Sequence, residues 1–137
     1  TIAGVSRGIN FHTAVNSFCL YAAIGEKIKV YKTALNKYRP YLSIQDVFKL
    51  FKFIIENNFF DNEIFNVVSN NFTVKQILKK IKKYKKNIKI TYVDSAIMNQ
   101  LSYHVSKKKL SAKGLSLNSN LDRDIANTLK LFKNIKK

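Results

Sequence analysis

The chain has no tryptophan, one cysteine, one proline, one methionine and four glycines, and each scarcity removes a class of explanation. A single thiol, Cys19, cannot build an internal disulfide framework, so a reducing compartment, the cytoplasm, is expected. Four scattered glycines leave no Gly-x-Gly-x-x-Gly and no other loop of the kind that cradles phosphates. No apolar run approaches the roughly 20 residues that a membrane span needs, because lysine or asparagine interrupts each within a few positions. No signal peptide is visible, and no membrane partner is expected. Acids are scarce too, eight against 25 lysines and arginines, which gives a formal net charge of +17 over 137 residues.

A charge of that size suggests a nucleic-acid partner. The lysines are spread over the whole length, however, and Asn, Ile, Phe and Tyr are abundant beside them, with only three arginines. That joint bias is what an AT-rich coding sequence produces, so the charge carries little information about function. The run "KKIKKYKK", Lys79 to Lys86, is the best nucleic-acid candidate, since its six lysines around Tyr84 offer phosphate neutralisation and a stacking ring. Ile77, Leu78 and Ile81 continue an apolar stripe through it, so its lysines read more simply as a solvated helix face, and nucleic acid is not the expected partner.

What is present is an alternation of periods. "FHTAVNSFCLYAAIG" places Val15, Phe18, Cys19 and Ala22 at helical spacing and stops at Gly25. "KIKVYK" alternates as a short strand, and "RPYLSI" alternates again after the loop "TALNK", with Pro40 suited to the start of an edge strand. From Ser43 or Gln45 the period turns helical, with Val47, Leu50, Phe51, Ile54 and Ile55 in a wide stripe. "EIFNVVS" reads as a strand rich in β-favouring residues. Thr73 is placed to cap the helix "VKQILKKIKKYKK", "NIKITYV" reads as a further strand, and helices follow around "SKKKLSAKG" and over "DRDIANTLKLFKNIKK". The fold class is α+β, short strands alternating with helices, and no linker or repeat marks a domain boundary.

Catalytic constellations are missing. His12 and His104 lack Cys, His or carboxylate neighbours at metal-ligand spacing, and Cys19 on an apolar stripe reads as a small core residue. Arg39 is the residue that stands out, in "KYRPYLSIQD". An arginine fork binds a diphosphate in bidentate fashion, which lysine does less specifically, and Tyr41 shares its face if the strand is regular. A surface ion pair beside two packing tyrosines is the structural alternative.

The order of these pieces resembles the C-terminal half of the extended short-chain dehydrogenase/reductase family, the nucleotide-sugar epimerases and dehydratases. That family has an Arg-Asp-(Tyr/Phe)-(Val/Ile)-(His/Tyr)-Val-x-Asp segment entering a helix, and Arg39, Tyr41, Leu42, Ile44, Asp46 and Val47 fall in register with it. "EIFNVVS" is similar to its "(E)-(V/I)-(Y/F)-N-V-G-S", followed as there by a Thr-Val that opens a helix, and "TIAGVS" is similar to the end of the strand leaving its dinucleotide domain. The resemblance covers nearly the whole chain. It implies that Arg39 contacts the diphosphate of a nucleotide-sugar, that Tyr41 lies at the nucleoside and Tyr31 at the base, and that Asn16 lies in a helix lining the cleft.

The departures matter equally. Pro40 stands where the family usually has Asp, Ser43 where it often has His or Tyr, and Thr1 where many epimerases use Asn. A second diphosphate arginine expected near "DSAIMNQ" is absent, so Asn99 or Gln100 would have to serve. The NAD(P) fingerprint and the Tyr-x-x-x-Lys pair of the family's N-terminal Rossmann domain are not found, and "YHVSK", Tyr103 to Lys107, reads as coincidence. The resemblance therefore implies one substrate-binding domain over residues 1–137, lacking most of the Rossmann sheet and holding no cofactor itself, with NAD(P) belonging to the intact family enzyme. It implies a UDP- or dTDP-sugar as ligand, a separate NAD-binding half as partner, and no catalysis by this chain alone. The alternatives are a basic nucleic-acid module built on Lys79–Lys86, or a degenerate fragment that binds nothing and self-associates.

Overall fold

The computed structural model describes residues 1–60, 62–94 and 101–135. Its elements alternate along the chain as β1 (Ile2–Ala3), α1 (Ala14–Ile24), β2 (Lys27–Tyr31), a 3₁₀ turn (Lys32–Ala34), β3 (Tyr38–Ser43), α2 (Ile44–Glu56), β4 (Asn70–Thr73), α3 (Val74–Tyr84), β5 (Lys89–Val93), α4 (Lys108–Ala112) and α5 (Leu121–Leu131). The architecture is mixed α and β, as the change of periods implied. Among the described residues no helix is long and apolar enough to cross a membrane.

Helix boundaries follow capping chemistry legible in the sequence. Gly25 closes α1 at φ 76°, a left-handed conformation that costs glycine nothing. The Thr73 hydroxyl accepts from the Gln76 N–H while the Gln76 side chain accepts from the Thr73 N–H, a capping box at the start of α3. Ser43 does the same work for α2, its hydroxyl accepting from the Gln45 N–H at 3.2 Å.

Two small sheets carry the strands. β2 pairs with β5 in parallel, Lys27 opposite Lys89 through Tyr31 opposite Val93. The other sheet has the order β1-β3-β4, with β1 parallel and β4 antiparallel to β3. Two expectations need correction here. Pro40 lies in the central strand rather than on an edge, and it is tolerated because β1 faces only Leu42 and Ser43, so no ladder partner stands on that side of Pro40. "EIFNVVS" is not a strand, and the ladder begins only at Asn70. Ile64 is 90% exposed there while Val68 is buried and Phe65 and Val67 pack on the second cluster, so the segment's β-favouring residues are used for packing without a strand pairing opposite them.

The main core joins Val15, Cys19 and Ala22 of α1, Ile28 and Val30 of β2, Ile77 and Ile81 of α3, and Leu121 and Ile125 of α5. Burial pushes the Cys19 thiol up to about 12, which keeps it an unreactive core residue. A second cluster sets Leu110, Leu115 and Leu117 against Leu50 and Phe53 of α2 and against Phe59 and Phe65. The apolar stripe of α2 is only partly used. Phe51 and Ile55, with Phe48 beside them, are 58%, 74% and 65% exposed, an uncovered apolar face on one helix.

Two carboxylates are buried where β3 turns into α2. Asp46 accepts from the Ser69 hydroxyl at 2.5 Å, the Ser119 hydroxyl at 2.5 Å, the Ser119 N–H at 3.0 Å and the Lys49 ammonium at 3.1 Å. Burial raises its pKa, but the Ser119 and Ser69 hydrogen bonds outweigh that and leave the carboxyl below its usual range. Asp124 is in the opposite position. Burial and the charge of Asp46 push it up against the bond from Ser43, and its Oδ2 has no hydrogen-bond partner. Gly4 sits over it at φ 119°, where a Cβ would come within 2.8 Å of Asp124 Oδ1 and 2.6 Å of Ile44, so only glycine fits this crossing.

A carboxyl whose pKa is raised in the folded state favours folding below its unfolded pKa and loses that contribution as pH rises through the folded value. Asp124→Asn is therefore expected to stabilise the fold at pH 7.5, because it removes a charge that burial and Asp46 disfavour. Urea unfolding at pH 7.5 and pH 3.5 checks this, and a variant no more stable than the parent at pH 7.5 refutes it.

Candidate functional site

Arg39 and Tyr41, two apart on β3, and Tyr31 at the end of β2 line one cavity of about 360 Å³. The period-2 geometry of a strand accounts for each pair of neighbours, since residues i and i+2 share a face. On β2 the buried positions are Ile28 and Val30, and the alternate ones, Lys27, Lys29 and Tyr31, face outward. Lys29 joins Tyr31 in the cavity wall, Thr1, His12 and Ser17 add to its polar lining, and among the described residues no carboxylate lines it.

Arg39 is held rather than free. Its guanidinium carbon lies 5.1 Å from the centre of the Tyr103 ring, a cation–π contact. Its Nη1 donates to the Tyr38 carbonyl at 3.1 Å. Tyr103 itself is brought alongside by the strand edge: its N–H donates to the Tyr38 carbonyl, and the Asn71 side chain exchanges two hydrogen bonds with Val105 at 2.9 and 3.1 Å. One of five guanidinium donors is thus committed, and the others remain for an oxyanion. Tyr41 is nearly fully buried, and burial pushes its phenol up while the charge of Arg39 pulls it back.

Asn16 spends its amide on the backbone. Its Oδ1 accepts from the Gly4 N–H at 3.2 Å, and its Nδ2 donates to the Ile2 carbonyl at 3.2 Å and the Asn10 carbonyl at 3.0 Å. It fastens the segment between β1 and α1, and it lines an adjoining cavity of about 350 Å³ that shares Thr1 with the first. Asn99 lies outside the described residues, as does Gln100. Tyr103 and Lys107 act apart: the Lys107 ammonium donates to the Ser69 carbonyl at 2.8 Å and to the Leu117 carbonyl. Among the described residues no group of His, Cys, Asp and Glu is arranged to hold a metal.

The lysine run is divided by the fold. Ile77, Leu78 and Ile81 are buried beneath it, Lys80 pairs with Asp122 at 3.0 Å and Lys83 reaches the same carboxylate at 3.6 Å. Two of the six cations are therefore tied to α5 rather than presented to a ligand. Sequence reasoning passes over Lys29, although the alternation of "KIKVYK" puts it on the face of Tyr31. Tyr103 carries no such signal, because its contact with Arg39 spans 64 residues of chain.

No family model matches the chain, and no curated protein matches it. Solved structures do match its fold. The UDP-glucose 4-epimerase of Thermotoga maritima, determined with UDP-glucose, is 19% identical at a TM-score of 0.80, with 97% of this chain covered and 43% of that one. The UDP-glucose 4-epimerase of Thermus thermophilus, in complex with NAD, is 16% identical at 0.76, covering 97% and 44%. The ADP-L-glycero-D-manno-heptose-6-epimerase of Helicobacter pylori is 16% identical at 0.74, covering 98% and 43%. The chain thus has the fold of slightly less than half of these epimerases, in keeping with the resemblance carried by Arg39 to Val47.

Proposed function

We propose that residues 1–137 form a substrate-binding domain that holds a nucleoside-diphosphate sugar for an NAD(P)-dependent epimerase or dehydratase, and that the domain is not catalytic alone. The observation that carries this reading is the convergence of Arg39, Tyr41 and Tyr31 on one cavity that no carboxylate lines among the described residues. A guanidinium with spare donors suits a diphosphate, the exposed ring of Tyr31 suits stacking on a base, and the buried Tyr41 closes the wall beside Arg39.

The glycines of the described residues do not form a loop of the kind that cradles a dinucleotide. Gly4 is wedged over Asp124 and Ile44, Gly25 ends a helix instead of opening one, and Gly8 precedes α1 by several residues of turn. No step involving the dinucleotide is assigned to them. In this reading the dinucleotide belongs to the remaining part of the epimerase fold, which makes up more than half of each matched structure.

Calorimetric titration of the chain with UDP and dTDP at physiological salt tests the proposal. Saturable one-to-one binding of either is the expected result. Binding of neither, together with tight, salt-sensitive binding of any polyanion, would return the function to the charge of the chain.

A further inference from the structure

Two walls of the cavity repeat one arrangement. On β3 a cation, Arg39, precedes an aromatic, Tyr41, by two residues, and on β2 Lys29 precedes Tyr31 by two, all four lining the same space. Two strand residues span about 6.6 Å, so each wall offers one positive group and one ring at nearly the same separation. Lys29 stands at its place for fixed reasons: Ile28 and Val30 on either side are buried in the core, and Lys29 is in register with Thr91 of β5. Among the described residues it forms no ion pair, whereas Lys32 pairs with Asp94 and Lys80 with Asp122.

We infer that Lys29 is the second diphosphate-holding cation of this site, acting with Arg39 across the cavity. The inference rests on the nucleotide-sugar reading and adds a residue to it. A diphosphate ester carries two negative charges at neutral pH, one guanidinium balances one of them, and among the described residues the lining offers no acid to compete. Arg39 supplies the oriented fork and Lys29 a rotatable point charge that follows whichever phosphate oxygens the fork leaves uncovered. The ligand class is correspondingly narrow, since the second cation adds nothing to a nucleoside without phosphate.

UDP, UMP and uridine titrated against the parent chain, Lys29→Gln and Lys29→Arg separate the possibilities. Lys29→Gln is expected to weaken UDP about 10-fold, the effect of one hydrogen bond to a charged group, to weaken UMP less, and to leave uridine unchanged. Lys29→Arg keeps UDP within about threefold of the parent, because it preserves the charge. Unfolding midpoints of both variants should match the parent, since Lys29 is exposed and makes no ion pair among the described residues. A Lys29→Gln chain that binds UDP as tightly as the parent overturns the inference while leaving the nucleotide-sugar reading intact. Equal weakening of UDP and uridine overturns it as well, by placing Lys29 at the nucleoside. A parent chain that binds no UDP refutes both readings together.

Discussion

Asp46→Ala is expected to cost the fold about 3–5 kcal/mol, the range for removing one partner of a buried charged network. The carboxylate is fully buried and takes four hydrogen bonds, from Ser69, from the hydroxyl and N–H of Ser119, and from Lys49. Alanine removes the anionic acceptor shared by two hydroxyls, a backbone N–H and the Lys49 ammonium. Against a total stability of about 5–15 kcal/mol for a domain, that loss is a large fraction. Asp46→Asn should fall between, because one carbonyl oxygen still accepts. The effect must also fade with acid. Asp46 is held below its usual range in the fold, so its contribution is present above the unfolded pKa and disappears as pH falls through the folded one. Urea unfolding at pH 7 and near pH 2 gives the comparison, and a gap between parent and variant that stays equally wide in acid contradicts the assignment. Asp124, raised by burial, works in the other direction over a higher pH range, and the two carboxyls together narrow the pH interval of greatest stability.

Arg39→Ala should weaken UDP by roughly 150-fold, the effect of two charge-assisted hydrogen bonds at about 1.5 kcal/mol each. Arg39→Lys recovers the charge without the fork, so it is expected to restore only part of the affinity. Both effects belong to the phosphates, and uridine serves as the control. Arg39 also stacks on Tyr103 and bonds the Tyr38 carbonyl, so alanine releases a surface contact as well. That contact is partly exposed and worth about 0.5–1 kcal/mol, too little to unfold the domain, and a thermal midpoint separates the two consequences. UDP affinity unchanged in the alanine variant would remove Arg39 from the site.

The two effects are legible in the sequence to different degrees. Arg39 and Tyr41 are readable because strand alternation places i and i+2 on one face, and the cavity does hold both. The end of α1 and the start of α3 are readable from Gly25 and Thr73, whose chemistry is local. The resemblance puts Asp46 in register with a segment of a known family, but nothing nearby announces its burial, because Ser69 lies 23 residues on and Ser119 lies 73. The strand expected at "EIFNVVS" is missing for a related reason. Branched and aromatic residues mark a surface able to pair, and whether a partner strand stands opposite is decided elsewhere in the chain. Pro40 likewise suggests an edge because its own chemistry forbids a ladder donor, and the fold meets that demand by making β1 short.

The long reach of the pairings also sets a clock. Lys27 meets Lys89 across the parallel ladder of β2 and β5, and the Asp46 carboxylate waits for Ser119. Emerging from a ribosome at about 5–20 residues per second, the chain completes its β3–α2 junction only after some 73 further residues have been made. For several seconds Asp46 has only its neighbour Lys49 and lacks the hydrogen bonds from Ser119. Such distant contacts make folding slow, so the newborn chain depends on its surroundings more than the finished one does, and holding chaperones have a defined window in which to act on it.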